Sequence, residues 1–318
     1  MRAAAIDCGT NSIRLLIADV THDDGITVLT DVVREMRVVR LGQGVDATGR
    51  LAPEALERTF VAVEEYAGLI RDAGAEAVRL VATSATRDAS NRQDFVDGVH
   101  ARLGIDPEVA TGPEEAALSF AGAVSVLPPV SGERILVVDL GGGSTEFVLG
   151  GDQGVEAALS VDMGCVRFTE RFLHGDPPSG AEVAAAEAEV ARQLDEVARV
   201  VPLDQVDRVI GVAGTITTIT AHALDLNSYQ PDHIDGAELP IGVVEAAASE
   251  LLSFTRERRA GLAFMHPGRV DVIGAGALIW RSILRRLETE TEGRIRTAVA
   301  SEHDILDGIA LGLARRNL

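Results

Sequence analysis

Two short stretches of this 318-residue chain combine an aspartate, glycines and hydroxyl side chains in the same order. Residues 4–17 are AAIDCGTNSIRLLI and residues 136–149 are LVVDLGGGSTEFVL, so that Asp7 recurs as Asp139, 132 positions later. Glycine lets backbone N–H groups approach phosphate oxygens, and serine or threonine hydroxyls add donors. An aspartate at the strand end can hold Mg²⁺ directly or through water. Both stretches indicate phosphate loops, and an ordinary glycine hairpin is the alternative for each.

The elements that must position these loops follow from the residues around them. Each loop has apolar residues on both sides, as expected of a β-hairpin. A second pair of segments, VRLVATSAT at 78–86 and VIGVAGTIT at 209–217, follows at nearly the same spacing. Each predicts a buried strand, a hydroxyl-rich turn and then a helix. Two pairs in register predict an α/β domain that has been duplicated, with a linker in LPPVSGE at 127–133.

Hydrophobic periodicity and capping residues predict the remaining elements. Residues 26–40 alternate as a strand does. The predicted helices are 53–73, 180–200, 241–259, 270–287 and about 302–316. The first has Pro53 in its first turn and Gly74 after it, and the second has Ser179 and Glu182 as a capping box. The last has Ser301 as its cap and Ile305, Ile309 and Leu313 on one face.

Composition excludes several classes of protein. The 29 basic residues are all arginine and face 49 acidic ones, so the net charge of −20 repels nucleic acid. Aromatic residues make up only 3%, too few for stacking on single strands. Without lysine, the chain cannot have a Walker-type phosphate loop, a protein-kinase strand lysine or a Schiff base.

The sequence has neither a recognisable targeting signal nor a cysteine pair with functional spacing. Cys8 and Cys165 have neither metal-binding nor redox spacing, so we expect no zinc site and no disulfide. Asp7 interrupts the first apolar run too early for a secretory signal, and charges interrupt the longer apolar stretches. We therefore expect a cytoplasmic protein that binds neither nucleic acid nor membranes.

Seven segments taken in order resemble the motifs of the bacterial exopolyphosphatase/guanosine pentaphosphate phosphatase family. They are IDCGTNSIRLLI, VATSATRDASN, TGPEEA, VVDLGGGSTE, MGCVRFTE, GVAGTITT and RVDVIGAGAL. The resemblance covers essentially the whole chain, in the short form without a C-terminal helical domain. It implies two duplicated ribonuclease-H-like domains of the actin and sugar-kinase superfamily, with the active site in the cleft between them. The expected domains are 1–126, with a C-terminal helix at 300–318 packing on it, and 127–299.

The same resemblance implies roles for individual residues. Glu115, the second glutamate of TGPEEA, would be the general base for the attacking water, with a pKa raised by burial and substrate charge. Glu114 and Glu115 could instead simply favour a helix N-terminus. Asp139, Glu146 and Asp7 would hold Mg²⁺ or another divalent ion. The implied substrate-binding residues are Asn11, Ser12, Arg87, Gly142, Gly143, Ser144, Thr145, Gly214, Thr215 and Arg269. For Arg269 a surface position is the alternative, and for Arg87 a surface pair with Asp88.

The implied reaction is hydrolysis of the terminal phosphate of inorganic polyphosphate by a homodimer. Hydrolysis of guanosine pentaphosphate or another nucleotide is the alternative, as is a regulator that binds these molecules with little catalysis. A kinase is disfavoured, because Glu115 would activate water. We expect short polymers to be preferred over long ones. The chain departs from the family pattern at Gly274, where many members have proline, and at Leu306, where arginine is common.

Overall fold

The computed structural model describes residues 1–23, 26–127 and 130–316. Its strands are β1 (Arg2–Cys8), β2 (Ser12–Asp23), β3 (Ile26–Val38), β4 (Ala77–Ala82), β5 (Glu108–Val109), β6 (Ile135–Leu140), β7 (Thr145–Gly151), β8 (Gly154–Val161), β9 (Arg208–Val212), β10 (Glu238–Pro240) and β11 (Thr297–Ala300). Its helices are α1 (Val45–Thr48), α2 (Pro53–Ala73), α3 (Ser84–Asp88), α4 (Arg92–Leu103), α5 (Gly112–Val126), α6 (Cys165–Phe172), α7 (Gly180–Val200), α8 (Ala213–Ala223), α9 (Pro231–Ile234), α10 (Ile241–Ser253), α11 (Arg256–Ala260), α12 (Ile273–Glu290) and α13 (Ile305–Arg316).

The first of two compact units combines Met1–Gly122 with the C-terminal stretch from Asp304. Its sheet has the order β3-β2-β1-β4-β5, in which β1 pairs antiparallel with β2 and parallel with β4. Side chains alternate across a strand, so successive residues of β1 enter different cores. Ala4 and Ile6 pack with residues of α2 and α4, whereas Ala5 packs with α13. Unit 1 therefore needs its last helix to cover one face of the sheet.

The second unit, Ala123–His303, repeats this topology. Its sheet has the order β8-β7-β6-β9-β11-β10, so β6 again lies between an antiparallel hairpin partner, β7, and a parallel strand, β9. The register repeats as well, because Asp7 pairs with Val81 on β4 and Asp139 pairs with Val212 on β9. The predicted duplication and the α/β fold class are confirmed.

Several helix predictions are confirmed and two need correction. Helix α2 ends as expected, with Gly74 at φ 66°, and α7 begins with the capping box of Ser179 and Glu182. The single helix predicted over 241–259 is wrong, because Phe254 is extended and the Thr255 side chain caps a separate helix, α11. The helix predicted from 270 begins at Ile273, after a 3-10 turn over Pro267–Arg269.

The start of the last helix also differs from the prediction. Ser301 is not its cap, because α13 begins at Ile305 and the Ser301 hydroxyl accepts the N–H of His303, which precedes the helix. Asp304 takes that place, its Oδ1 accepting the N–H of Leu306 at 3.0 Å, while Asp307 accepts the N–H of Asp304 at 3.2 Å. The predicted apolar face is confirmed, since Ile305, Ile309 and Leu313 are buried.

Two further predictions concern the connection between the halves and the membrane. Residues 128 and 129 of the predicted linker lie outside the described residues. Among the helices that the structure describes, none combines the length and the apolar character needed to span a bilayer.

Candidate active site

The loop between β6 and β7 is held through its carbonyl groups. The N–H of Cys165 donates to the carbonyl of Gly141 at 3.0 Å, and the N–H of Val166 donates to that of Gly142 at 2.9 Å. A Cβ on Gly164 would lie 2.3 Å from the carbonyl carbon of Gly142, so this close approach requires glycine. The start of α6 therefore fixes one conformation of the loop.

The N–H groups of the same loop are only partly used in hydrogen bonds within the described residues. The N–H of Gly141 closes the turn by donating to Ser144 at 3.0 Å. In the part of the chain that the structure describes, the N–H groups of Gly142 and Gly143 enter no hydrogen bond. The Thr145 hydroxyl donates to a backbone carbonyl, that of Met163, so its proton is committed to the fold. Two fixed N–H donors on successive glycines suit a phosphate oxygen.

Asp139 and Glu146 lie directly opposite each other at the shoulders of this hairpin. They are 6% and 1% exposed, and the Ser160 hydroxyl donates to Glu146 at 2.7 Å. No group of three or more histidine, cysteine or carboxylate side chains that could hold a metal occurs among the described residues. Mg²⁺ is often held by one or two carboxylates together with substrate phosphates. This pair of buried carboxylates fits that smaller donor set.

The equivalent hairpin of unit 1 has an arginine in place of the glutamate. Asp7 pairs with Arg14 in the β1–β2 register, as Asp139 pairs with Glu146 in β6–β7. Arg14 Nε and Nη2 donate to Asp7 Oδ2 at 3.0 and 2.7 Å, and Nη1 donates to Asp304. Burial raises the pKa of Asp7, Arg14 opposes the rise and Asp304 adds to it. Asp7 Oδ1 is buried without a hydrogen-bond partner.

The turn after β1 is held through its carbonyl groups, as the turn after β6 is. The N–H of Arg40 donates to the carbonyl of Asn11 at 2.9 Å, and the N–H of Gly42 donates to that of Thr10 at 2.8 Å. A Cβ on Gly42 would lie 2.3 Å from Thr10 Cγ2. Asn11 and Ser12, both half-buried, therefore sit on a turn whose carbonyls are taken up by a neighbouring segment.

The two adjacent glutamates of α5 have different surroundings. Glu114 accepts the N–H of Thr111 at 2.9 Å and its hydroxyl at 2.8 Å, and these bonds lower the pKa of Glu114. Glu115 is only 6% exposed and accepts from Arg87 Nη1 at 2.9 Å, which also donates to the carbonyl of Ala110. Glu114 thus caps the helix, while Glu115 is a buried carboxylate whose charged form is stabilised by a guanidinium.

Arg269 lies against the start of α8. Its Nη1 donates to the carbonyl of Gly214 at 2.9 Å and to the Thr218 hydroxyl at 3.0 Å. A Cβ on Gly214 would lie 2.0 Å from Nη2 of this arginine, so a side chain at this position would displace the guanidinium. Thr215, the next residue, is buried. Ala213, which joins β9 to α8, has φ 72°, a left-handed conformation that is strained for alanine.

Sequence reasoning missed the contact of Arg14 with Asp304 and the strain at Ala213. The role of Arg14 had a signal, since it stands at the repeat position of Glu146. Asp304 had none, because it lies 290 residues from Arg14. The two cysteines are buried and free, and burial raises the pKa of the Cys165 thiol.

Comparison with known proteins adds to this geometry. Residues 16–312 match the model of the Ppx/GppA phosphatase family. The chain belongs to the Ppx/GppA phosphatase family. This Ppx/GppA protein is 52% identical to "Exopolyphosphatase 2" of Mycobacterium tuberculosis H37Rv, over 98% of each chain.

Solved structures of the Ppx/GppA family confirm the fold. A crystal structure described as an exopolyphosphatase-like protein superposes with a TM-score of 0.94, at 46% identity and over 100% of both chains. The Ppx/GppA family member of Aquifex aeolicus superposes with a TM-score of 0.79, at 30% identity, over 100% of this chain and 98% of that one. The predicted pair of ribonuclease-H-like domains is therefore confirmed.

Proposed function

We propose that this protein is an exopolyphosphatase, which hydrolyses the terminal phosphate of inorganic polyphosphate. One observation carries the proposal: the β6–β7 hairpin joins two buried carboxylates, Asp139 and Glu146, to a loop with two uncommitted N–H groups. This combination suits a phosphate chain with its divalent counter-ion. The name of the mycobacterial relative, at 52% identity, supports the same substrate.

In the proposed reaction, the oxygen of a water molecule bonds to the terminal phosphorus while the bridging P–O bond breaks. Orthophosphate leaves, and the polymer becomes one unit shorter. Glu115 accepts the proton of the water, since Arg87 keeps it in the charged form that a base requires. Without a covalent intermediate, positioning and electrostatic stabilisation supply most of the rate.

The negative charge of the phosphoryl group is offset by several groups. The N–H groups of Gly142 and Gly143 are fixed in advance, so they need no reorganisation as charge develops. Mg²⁺ or another divalent ion, held by Asp139 and Glu146, would neutralise further charge when bound. Arg269 adds a positive charge at the N-terminus of α8, where the helix dipole also favours anions.

The test is orthophosphate release from polyphosphate, guanosine pentaphosphate and ATP, assayed side by side with Mg²⁺. We expect the highest kcat/KM on polyphosphate. A higher value on guanosine pentaphosphate would replace the proposed substrate, and binding without turnover of any of the three would replace the enzyme by a regulator. A homodimer and a cytoplasmic location stay predictions, to be checked by light scattering and by fractionation.

A further inference from the structure

The loop hairpin of unit 1 and the start of α13 share one arginine. Arg14 gives two hydrogen bonds to Asp7 and one, through Nη1, to Asp304 Oδ2. Asp7 and Asp304 are both buried. Both edges of the guanidinium are therefore held by carboxylates, and Asp304 acts on Asp7 through it.

Asp304 is itself rigidly supported. Its Oδ1 accepts the N–H of Leu306 at 3.0 Å, and its N–H donates to Asp307 at 3.2 Å. A Cβ on Gly122 would lie 1.8 Å from the carbonyl oxygen of Asp304, so α5 packs directly against this backbone. A side chain anchored in this way can hold another in one position.

The charges of the cluster decide what Arg14 does. One guanidinium faces two carboxylates, so the group has a net charge of about −1 and attracts a cation more than a phosphate. The other oxygen of Asp7, Oδ1, has no hydrogen bond. Arg14 is thus occupied in orienting Asp7 and does not serve as a phosphate ligand.

Building on the proposed function, we propose that Asp304 is a positioning residue of the hydrolysis, which holds Arg14 so that Asp7 keeps Oδ2 in the ion pair and its carboxylate in one orientation. Asp304→Asn retains the cap and the volume but removes the charge that holds Nη1. We expect kcat to fall by about tenfold or more, because small displacements near the chemistry are costly, and KM to change less than about twofold.

Arg34→Gln is the matched control. Arg34 pairs with Asp307 of the same helix at 2.7 Å, so this change weakens the docking of α13 but leaves Asp304 and its bond to Asp307 in place. We expect it to lower the melting temperature about as much as Asp304→Asn while kcat stays within about twofold of wild type. Equal loss of kcat in both variants would overturn the proposal, since docking of the helix would then explain the effect. If Asp304→Asn does not fold, Asp304→Ser, which also caps, takes its place.

A double-mutant cycle and NMR complete the test. In an Arg14→Gln background, Asp304→Asn should change kcat by less than about twofold, whereas independent, multiplying losses would refute action through Arg14. In ¹⁵N-arginine spectra, we expect restricted rotation of the Arg14 guanidinium in wild type and in Arg34→Gln, and its loss in Asp304→Asn. Unchanged rotation in Asp304→Asn refutes the positioning. A wild type that releases no orthophosphate from polyphosphate refutes only the proposed function, because the NMR comparison does not need turnover.

Discussion

Replacing Glu115 by glutamine should remove the general base while keeping its place in the fold. The glutamine Oε1 can still accept from Arg87 Nη1, which lies 2.9 Å from the carboxylate, and Arg87 keeps its bond to the carbonyl of Ala110. Arg87 thus keeps an acceptor but loses the charge of the carboxylate, so the stability loss should be about 1.5–3 kcal/mol. The carboxamide cannot take a proton from water. A positioned base contributes about 10²–10⁴ to the rate, or about 2.7–5.4 kcal/mol of activation free energy.

The assay is initial orthophosphate release at saturating Mg²⁺ and polyphosphate, with polyphosphate affinity and melting temperature measured on the same preparations. Glu114→Gln is the control, because it neutralises the adjacent carboxylate, which caps α5. It should turn over within about twofold of wild type. Turnover by Glu115→Gln near the wild-type rate would refute the assignment, and Glu114 or Glu146 would be the next residue to test.

Three other variants probe the metal, the strained turn and a helix cap. Asp139→Asn should lower kcat and raise the Mg²⁺ concentration for half-maximal rate several-fold, whereas Asp152→Asn, at an exposed position, should leave the titration unchanged. Ala213→Gly should leave the unfolding free energy unchanged or raise it by up to about 1 kcal/mol, because φ of Ala213 is 72°. Ala185→Gly, in the middle of α7, should lower it by about 1 kcal/mol. Urea titrations that give the reverse order would contradict the strain at Ala213. Backbone hydrogen bonds lower the pKa of Glu182 from 4.5 to about 2. The Glu182 carboxylate therefore stabilises the folded state above pH 4.5, and this stabilisation is lost as pH falls towards 2. The melting-temperature deficit of Glu182→Gln should therefore shrink over that range, and a constant deficit would exclude this cause.

Local signals predicted most elements, because capping and periodicity act over a few residues. Pro53 and Gly74 bound α2 where the sequence places them. The cap of α13 was missed because Ser301 and Asp304 are both capping residues, three positions apart. Asp235, far away in the chain, accepts the Ser301 hydroxyl and the N–H of Glu302, which holds this stretch outside the helix. Tertiary contacts thus override local preference.

In the candidate site, too, local features were predictable and tertiary contacts were not. The repeat identified both loops with Asp7 and Asp139, since the spacing of a hairpin is local, and the family resemblance added Glu146. Pairings such as Arg87 with Glu115, 28 residues apart, and Arg14 with Asp304 join distant motifs. No pattern of residue types encodes such distances, so these two ion pairs emerged only from the folded structure.

The discontinuity of unit 1 has a consequence for synthesis on the ribosome. Its sheet is translated before unit 2, but Ala5, Leu16 and Val81 are covered by α13, which is translated after unit 2. Unit 2 is a continuous segment and can complete its core before α13 has been translated. The nascent chain therefore carries an uncovered apolar sheet face until all of unit 2 has been made. The Arg14 cluster closes only when Asp304 follows, so unit 1 is completed after unit 2 although its sheet is made first.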